Sequence, residues 1–248
     1  MNTLPKRGTE GLSGIPVRKS GIDNLGKVIL WKVKKLFSKN PEVFFKKVSG
    51  IIHVGANTGQ EIPMYEKYGL SVVWIEPIPE VFDELKNNLS GVSQQMAIRG
   101  LVTDQEGKEY QFHLASNHGA SSSILDFNLH QDIWPDITFQ RTITLIGKTL
   151  PTLLKENNIE FGKYDMMVID TQGSELLVLK GASNILHHFK YIQTEVPDFE
   201  AYKGCCQLTD LEEFFSTHQF KEVYRRKFAS HPNGGNYYDI VFKRNPNN

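Results

Sequence analysis

The sequence predicts an α/β fold built on a mostly parallel sheet with helices on both faces. Three observations carry this expectation. From Gly50 onward, short apolar runs alternate with stretches of helical periodicity, the pattern of strand–helix–strand units. The chain closes with two alternating runs joined by Asn233-Gly234-Gly235-Asn236, which read as an antiparallel hairpin. Finally, 40% of the 248 residues are hydrophobic, enough for a buried core and too many for a largely disordered chain.

The elements follow in order. Residues 1–47 carry eleven Lys and Arg against three acids, a net of +8, although the whole chain balances at 28 against 28. Residues 1–20 are rich in Gly, Lys, Arg and small polar residues, and are expected to lack fixed structure. Leu25, Val28, Ile29, Val33, Leu36 and Phe37 then recur at helical spacing with lysines between them. Asn40-Pro41 opens a short second helix through Phe44 and Phe45. Either the apolar stripe packs on the domain that follows, or residues 18–47 make peripheral contact with an anionic membrane or an acidic partner. The division is therefore a basic N-terminal extension with an amphipathic helix, 1–47, and a main domain, 48–248.

Within that domain the predicted strands are 51–54, 72–75, 92–96, 142–146, 166–169, 191–195, 221–228 and 237–243. Helices are predicted through Met64, Tyr65 and Tyr68, then over 79–89, 151–157, 174–186 and 208–217. Residues 98–115 carry two alternating runs flanking Asp104-Gln105-Glu106-Gly107 and predict a hairpin of their own.

Several classes are disfavoured. Balanced charge argues against a dedicated nucleic-acid binder. Val28-Ile29-Leu30-Trp31 is far short of the ~20 apolar residues that span a bilayer, and residues 1–19 lack a run of signal-peptide type. The two cysteines, Cys205 and Cys206, are adjacent, and there is no CxxC or zinc-like spacing. No metal site is expected, and reduced cysteines fit a cytoplasmic protein.

In an open parallel sheet, ligands bind beyond the carboxyl ends of the strands. Three features fall there. His53-Val54-Gly55-Ala56-Asn57-Thr58-Gly59-Gln60 follows the first strand; its glycines allow a tight turn, and the helix behind offers unpaired N–H groups. Glu76, ending the second strand in Glu76-Pro77-Ile78-Pro79, is placed to accept both hydroxyls of a ribose. Asp170 ends another strand in Ile169-Asp170-Thr171-Gln172-Gly173-Ser174-Glu175. The loop with Glu76 specifies a nucleoside, but Asn57 and Gln60 break the GxGxxG dinucleotide fingerprint. S-adenosylmethionine suits this loop better than NAD.

From about Gly50 on, the chain resembles the FkbM family of S-adenosylmethionine-dependent methyltransferases. The resemblance rests on residues 52–61, 75–79, 115–125, 169–182, Thr194-Glu195-Val196 and Tyr202-Lys203-Gly204-Cys205, in that order. It implies a Rossmann-like class I methyltransferase sheet of seven strands, order 3-2-1-4-5-7-6, and methyl transfer to oxygen, commonly of a sugar or a polyketide-type product. It also implies that His53, Gly55, Ala56, Asn57, Thr58 and Gly59 lie at the cofactor, with Gly55, Asn57 and Gly59 under its methionine part. Glu76 and Pro77 would meet the ribose, Met96 and Ala97 the adenine, Ser121 and Ser122 the cofactor or acceptor, and Asp170 the methyl-transfer centre.

Two departures from the family pattern stand out. His53 occupies a position where many methyltransferases carry an acid, and Gln172 replaces the second acid of the usual Asp-x-Glu-Gly. An alcohol loses its proton during methylation, so a carboxylate or imidazole must be in reach. Asp170, His130 and Glu195 are the candidate catalytic residues, with His118 fourth. Residues 116–140 and 197–206 supply candidate acceptor-site aromatics in Phe127, Trp134, Phe139, Phe199 and Tyr202. The expected function is O-methylation of a small-molecule or glycan acceptor. The alternatives are methylation of a secondary metabolite, a non-catalytic binding module that kept the fold, and, disfavoured by the broken fingerprint, an NAD-dependent oxidoreductase.

Overall fold

The computed structural model describes residues 42–245; the amphipathic helix expected over 25–37 lies outside them. The chain enters through a single turn, α1 (Glu42–Phe45), and passes into β1 (Gly50–Val54). It continues through α2 (Ile62–Lys67), β2 (Ser71–Glu76), α3 (Pro79–Asn88) and β3 (Gln95–Arg99). An excursion of β4 (Leu101–Val102), β5 (Glu109–Ala115), α4 (His130–Ile133) and β6 (Phe139–Lys148) follows. Then come α5 (Leu150–Glu156), β7 (Met166–Ile169), α6 (Glu175–Gly181), β8 (Tyr191–Pro197) and α7 (Leu208–Thr217). The hairpin β9 (Phe220–Ser230) and β10 (Asn236–Arg244) ends the fold.

Seven strands form one sheet in the order β3-β2-β1-β7-β8-β10-β9, parallel except where β10 runs against β8 and β9. The sheet is therefore the expected one, with β7 and β8 as its fourth and fifth strands and the C-terminal hairpin at one edge. β1 is buried along its whole length, as a central parallel strand must be, which explains its continuous apolar run. Alternate residues feed opposite layers. Ile52, Val54, Met167 and Ile169 pack beneath α5, α6 and α7, and Ile51, Trp74 and Met166 beneath α1, α2 and α3.

The hairpin expected over 98–115 is not formed. β5 pairs antiparallel with β6, and β4 pairs parallel with the end of β6, so β6 runs between them. The reason lies in β5, whose inward Phe112 and Leu114 join Ile78 and Val81 in a small separate core. A long partner of matching alternation covers such a face, and Ile143 and Leu145 of β6 supply it. The two-residue β4 does not. Gly147 makes the threading feasible, because a Cβ there would stand 2.5 Å from Thr103 Oγ1 and 2.7 Å from Tyr110. Two further boundaries move. β3 begins at Gln95 rather than 92, and the helix expected over 174–186 ends at Gly181 before a separate short turn of helix, Leu186–His188.

Candidate active site

The carboxyl ends of β1, β2 and β7 open into a cleft. Its floor is backbone. Gly55 has φ +83°, and a Cβ there would stand 1.9 Å from the carbonyl oxygen of Asp170, so only glycine lets the ends of β1 and β7 close up. Gly55 and Ala56 both donate their N–H to Ile75 O, tying the loop to β2.

Glu76 is buried at 3% exposure. Its Oε2 accepts the N–H of Asn57 at 2.8 Å, and its Oε1 accepts the N–H of Ile78 at 2.9 Å. Two backbone donors thus fix the carboxylate where the ends of β1 and β2 meet. Asn57 is itself left-handed, φ +47°; its Nδ2 donates to His118 O at 3.0 Å and its Oδ1 accepts from Gln60. That bond draws the loop 117–122 over the cleft, where Gly119, Ala120 and Ser122 form a wall. Ile78, Leu101, Val102 and Phe112 complete an apolar side. A fixed carboxylate, a glycine floor and an apolar wall are the donor set of a nucleoside site, and these residues fit S-adenosylmethionine.

Asp170 lines the opposite side. Its Oδ1 accepts from Gln172 Nε2 at 2.5 Å, while Gln172 Oε1 accepts from Tyr202 OH at 3.0 Å. The backbone of Gln172 is held in turn: its φ is +53°, and its carbonyl accepts from Ser123 Oγ at 2.8 Å. A neutral amide at 172 donates to Asp170, whereas a second acid would repel it. Beneath this turn lies Glu175, which sequence reasoning quoted but gave no role. It is 1% exposed and accepts from Thr171 N at 3.1 Å and Gly173 N at 3.0 Å. Burial pushes its carboxyl up to about 7, with a smaller push from Asp170 and an opposing pull from the backbone donors. An acid in the first turn of a helix after a glycine was the available signal.

The structure brings Gly55, Asn57, Glu76, Pro77, Ser122 and Asp170 to the cleft. Other expected cofactor residues lie elsewhere. His53 points into the α1–α3 layer, where its ring stacks on Trp74 at 5.0 Å and meets Tyr65 OH at 3.3 Å, because side chains alternate along β1. Ala56 is buried in the same layer, Thr58 gives its carbonyl to Asn88 Nδ2, and Gly59 leaves room for Ile62 and Leu85. Met96 and Ala97 fall in the middle of β3, not at its end. Met96 is exposed and Ala97 packs on the α1–α3 layer, so Gly100, Leu101 and Val102 line the cleft in their place. Ser121 is one residue removed from the wall, bonded to Asn117 and holding Tyr202 OH through its carbonyl at 3.2 Å.

Of the other candidate bases, His130 is also displaced. It is buried within rings of Phe127, Trp134 and Tyr202, its Nδ1 meets Tyr237 OH at 2.9 Å, and burial lowers its pKa to about 3. Its burial inside that aromatic cluster takes it away from the cleft. Glu195 borders a second, smaller void behind Gln172, shared with Glu175, Tyr202 and Tyr237. His118 reaches Glu84 at 2.7 Å, on the outer side of its loop. The expected aromatics do gather. Phe127 and Phe139 stack at 3.8 Å with planes 8° apart, and Tyr202 lies 5.5 Å from Phe127, while Phe199 packs on Tyr237 and Trp134 on His130. Among the described residues no His, Cys, Asp and Glu cluster could hold a metal ion, and no helix is long and apolar enough to cross a membrane.

A sheet of this order with a nucleoside cleft at its carboxyl edge defines a class I S-adenosylmethionine-dependent methyltransferase. The methyltransferase FkbM domain matches residues 53–225, and the chain belongs to that family, which takes its methyl group from S-adenosylmethionine. No curated protein matches it. Several solved structures are similar to it at low identity. Magnesium protoporphyrin IX methyltransferase (ChlM) from Synechocystis PCC 6803 is 10% identical, with 90% of this chain and 79% of that one covered and a TM-score of 0.45. TrmK of M. capricolum is also 10% identical, with 84% and 69% covered and a TM-score of 0.47. An uncharacterised protein from Listeria monocytogenes is 11% identical, covered to 84% and 69%, at 0.47.

Proposed function

We propose that this methyltransferase transfers its methyl group to a hydroxyl oxygen, and that the acceptor is a sugar or glycan. The observation that carries the reading is the carboxylate of Asp170, set at the cleft and aimed by the amide of Gln172. S-adenosylmethionine supplies an electrophilic methyl group. What the chain must add is alignment, with the reacting atoms within ~3–3.5 Å, and an acceptor for the hydroxyl proton. Asp170 is the group placed to take that proton. Gln172 does not compete for it, because its amide has no basic atom and its oxygen already serves Tyr202.

The half-buried pair Phe127 and Phe139 forms the middle of an aromatic stack, with His130 against Phe127 and His113 against Phe139, and Phe127 joins it to Tyr202, which bonds Gln172. Aromatic side chains of this kind suit the apolar side of a pyranose ring. The test is incubation of the protein and S-adenosylmethionine with a panel of soluble glycans, read by mass for one added methyl group. A methyl ether on a sugar oxygen is expected, stable to base and retained on the monosaccharide after acid hydrolysis of the glycosidic bonds. Methyl transfer only to nitrogen or carbon acceptors would overturn the reading.

A further inference from the structure

The charge asymmetry of the sequence finds no use in the cleft. The segment that carries it, residues 1–47 at net +8, joins the fold through α1 at the amino ends of the parallel strands. That is the end of the sheet opposite the cofactor cleft. Phe44 and Phe45 bury one side of α1, with Phe44 against Tyr191 and Tyr224. The other side presents Val43, 40% exposed, with Lys46 and Lys47 three and four residues on.

The same end of the sheet collects further cations. Lys163 precedes β7, Lys221 and Lys243 stand opposite one another on β9 and β10, and Arg244 follows. Like charges directly opposite on neighbouring strands disfavour the pairing, so this placement needs another reason. Two acids nearby are engaged: Asp165 by Lys190 and the N–H of Ser49, Glu42 by Lys67 and Tyr68.

We propose that this basic end of the sheet, with the basic segment entering it, docks on an anionic lipid surface. A lipid surface fits better than a nucleic acid because apolar residues accompany the cations. Val43 stands beside Lys46 and Lys47, and Leu25, Val28, Ile29, Val33, Leu36 and Phe37 recur among the lysines upstream. Docked this way, the cleft faces away from the bilayer. β8, seven residues long, sets it about 23 Å off, so the acceptor is drawn from the aqueous side.

The experiment uses the full chain and sedimentation with vesicles of phosphatidylcholine, with or without phosphatidylserine. Binding to the anionic vesicles alone, weakened by added salt, is expected. The triple variant Lys163→Gln, Lys221→Gln, Lys243→Gln should lose affinity by about fivefold per lysine, roughly a hundredfold in all, with unchanged S-adenosylhomocysteine affinity. The pair Lys46→Gln, Lys47→Gln provides the same reading should the triple variant fail to fold. No sedimentation of the wild type on anionic vesicles overturns the proposal, as does retention on RNA or polyglutamate without retention on vesicles. Folded variants that sediment as well as the wild type overturn the role of this face.

Discussion

The two sides of the cleft are built differently. On the cofactor side the anchoring contacts are made by backbone: Gly55 and Ala56 on Ile75 O, Asn57 and Ile78 N–H on Glu76, and the bare floor between Gly55 and Asp170. On the side of Asp170 and Gln172, where the proposal puts the acceptor, they are made by side chains from distant parts of the chain. Tyr202 reaches Ser121 and Gln172, Ser123 reaches the Gln172 carbonyl, and Gln172 reaches Asp170. The first side holds one ligand common to the family, and strand ends place it with little help. The second side is assembled from loops whose side chains differ freely, which is where a change of acceptor is accommodated.

The comparison is broken most severely at Gly55. Gly55→Val places a branched side chain on the Asp170 carbonyl at a backbone angle only glycine adopts easily. A loss above about 4 kcal/mol in urea unfolding is expected, with no cofactor binding. A stable Gly55→Val protein would show that the two strand ends are not locked.

Asp170→Asn changes charge with little change of shape. Turnover should fall by ~10²–10⁴-fold while S-adenosylhomocysteine binds about as before. If affinity falls alongside turnover, Asp170 belongs to the cofactor side of the comparison and the base must be sought elsewhere.

Glu175 tests the support beneath both sides. Its folded pKa, about 7, lies above the ordinary carboxylate value of 4.5, so the fold prefers it protonated. Its contribution is complete below pH 4.5 and is lost as pH rises through 7, on the order of 3 kcal/mol. Glu175→Gln should flatten this part of the stability profile; an unchanged slope between these pH values would assign the loss to other groups.

Glu76→Ala removes one carboxylate and leaves the strands in place. A hydrogen bond to a charged group contributes roughly 1.5–3 kcal/mol, which predicts about ten- to a hundredfold weaker S-adenosylhomocysteine binding by calorimetry. Unchanged affinity in a folded variant would remove the ribose assignment.

The contrast also decides what could be read from residues alone. The central strands, the glycine loop, Glu76 and Asp170 were legible because each is a local pattern: an apolar run, then a glycine or an acid at its end. Residue-level parity was less legible. His53 sits near the end of β1 but faces the α1–α3 layer, and Ala97 faces the same layer from the middle of β3; one step of register decides the face. The β4–β6 excursion misled because Asp104-Gln105-Glu106-Gly107 has turn chemistry, while the partner of β5 arrives 24 residues after that strand ends. His130 misled for another reason. Nothing local to it announces Tyr237, which approaches from more than a hundred residues away. The amide bridge from Gln172 to Asp170 and Tyr202 was equally hidden, since the sequence shows only the missing acid.

The seam at Gly55 also sets a limit for anyone who would re-engineer this enzyme. With the carbonyl of Asp170 resting directly on the glycine, no side chain lies between the two strand ends to be trimmed or enlarged. The floor of the reaction chamber is therefore not an adjustable surface, and the depth at which a methyl donor sits is a property of the fold. Libraries aimed at new acceptors gain nothing from mutating residues 55 or 170. Their variation belongs in Phe127, Phe139 and the turn around Tyr202, where packing between side chains can be exchanged without moving the donor.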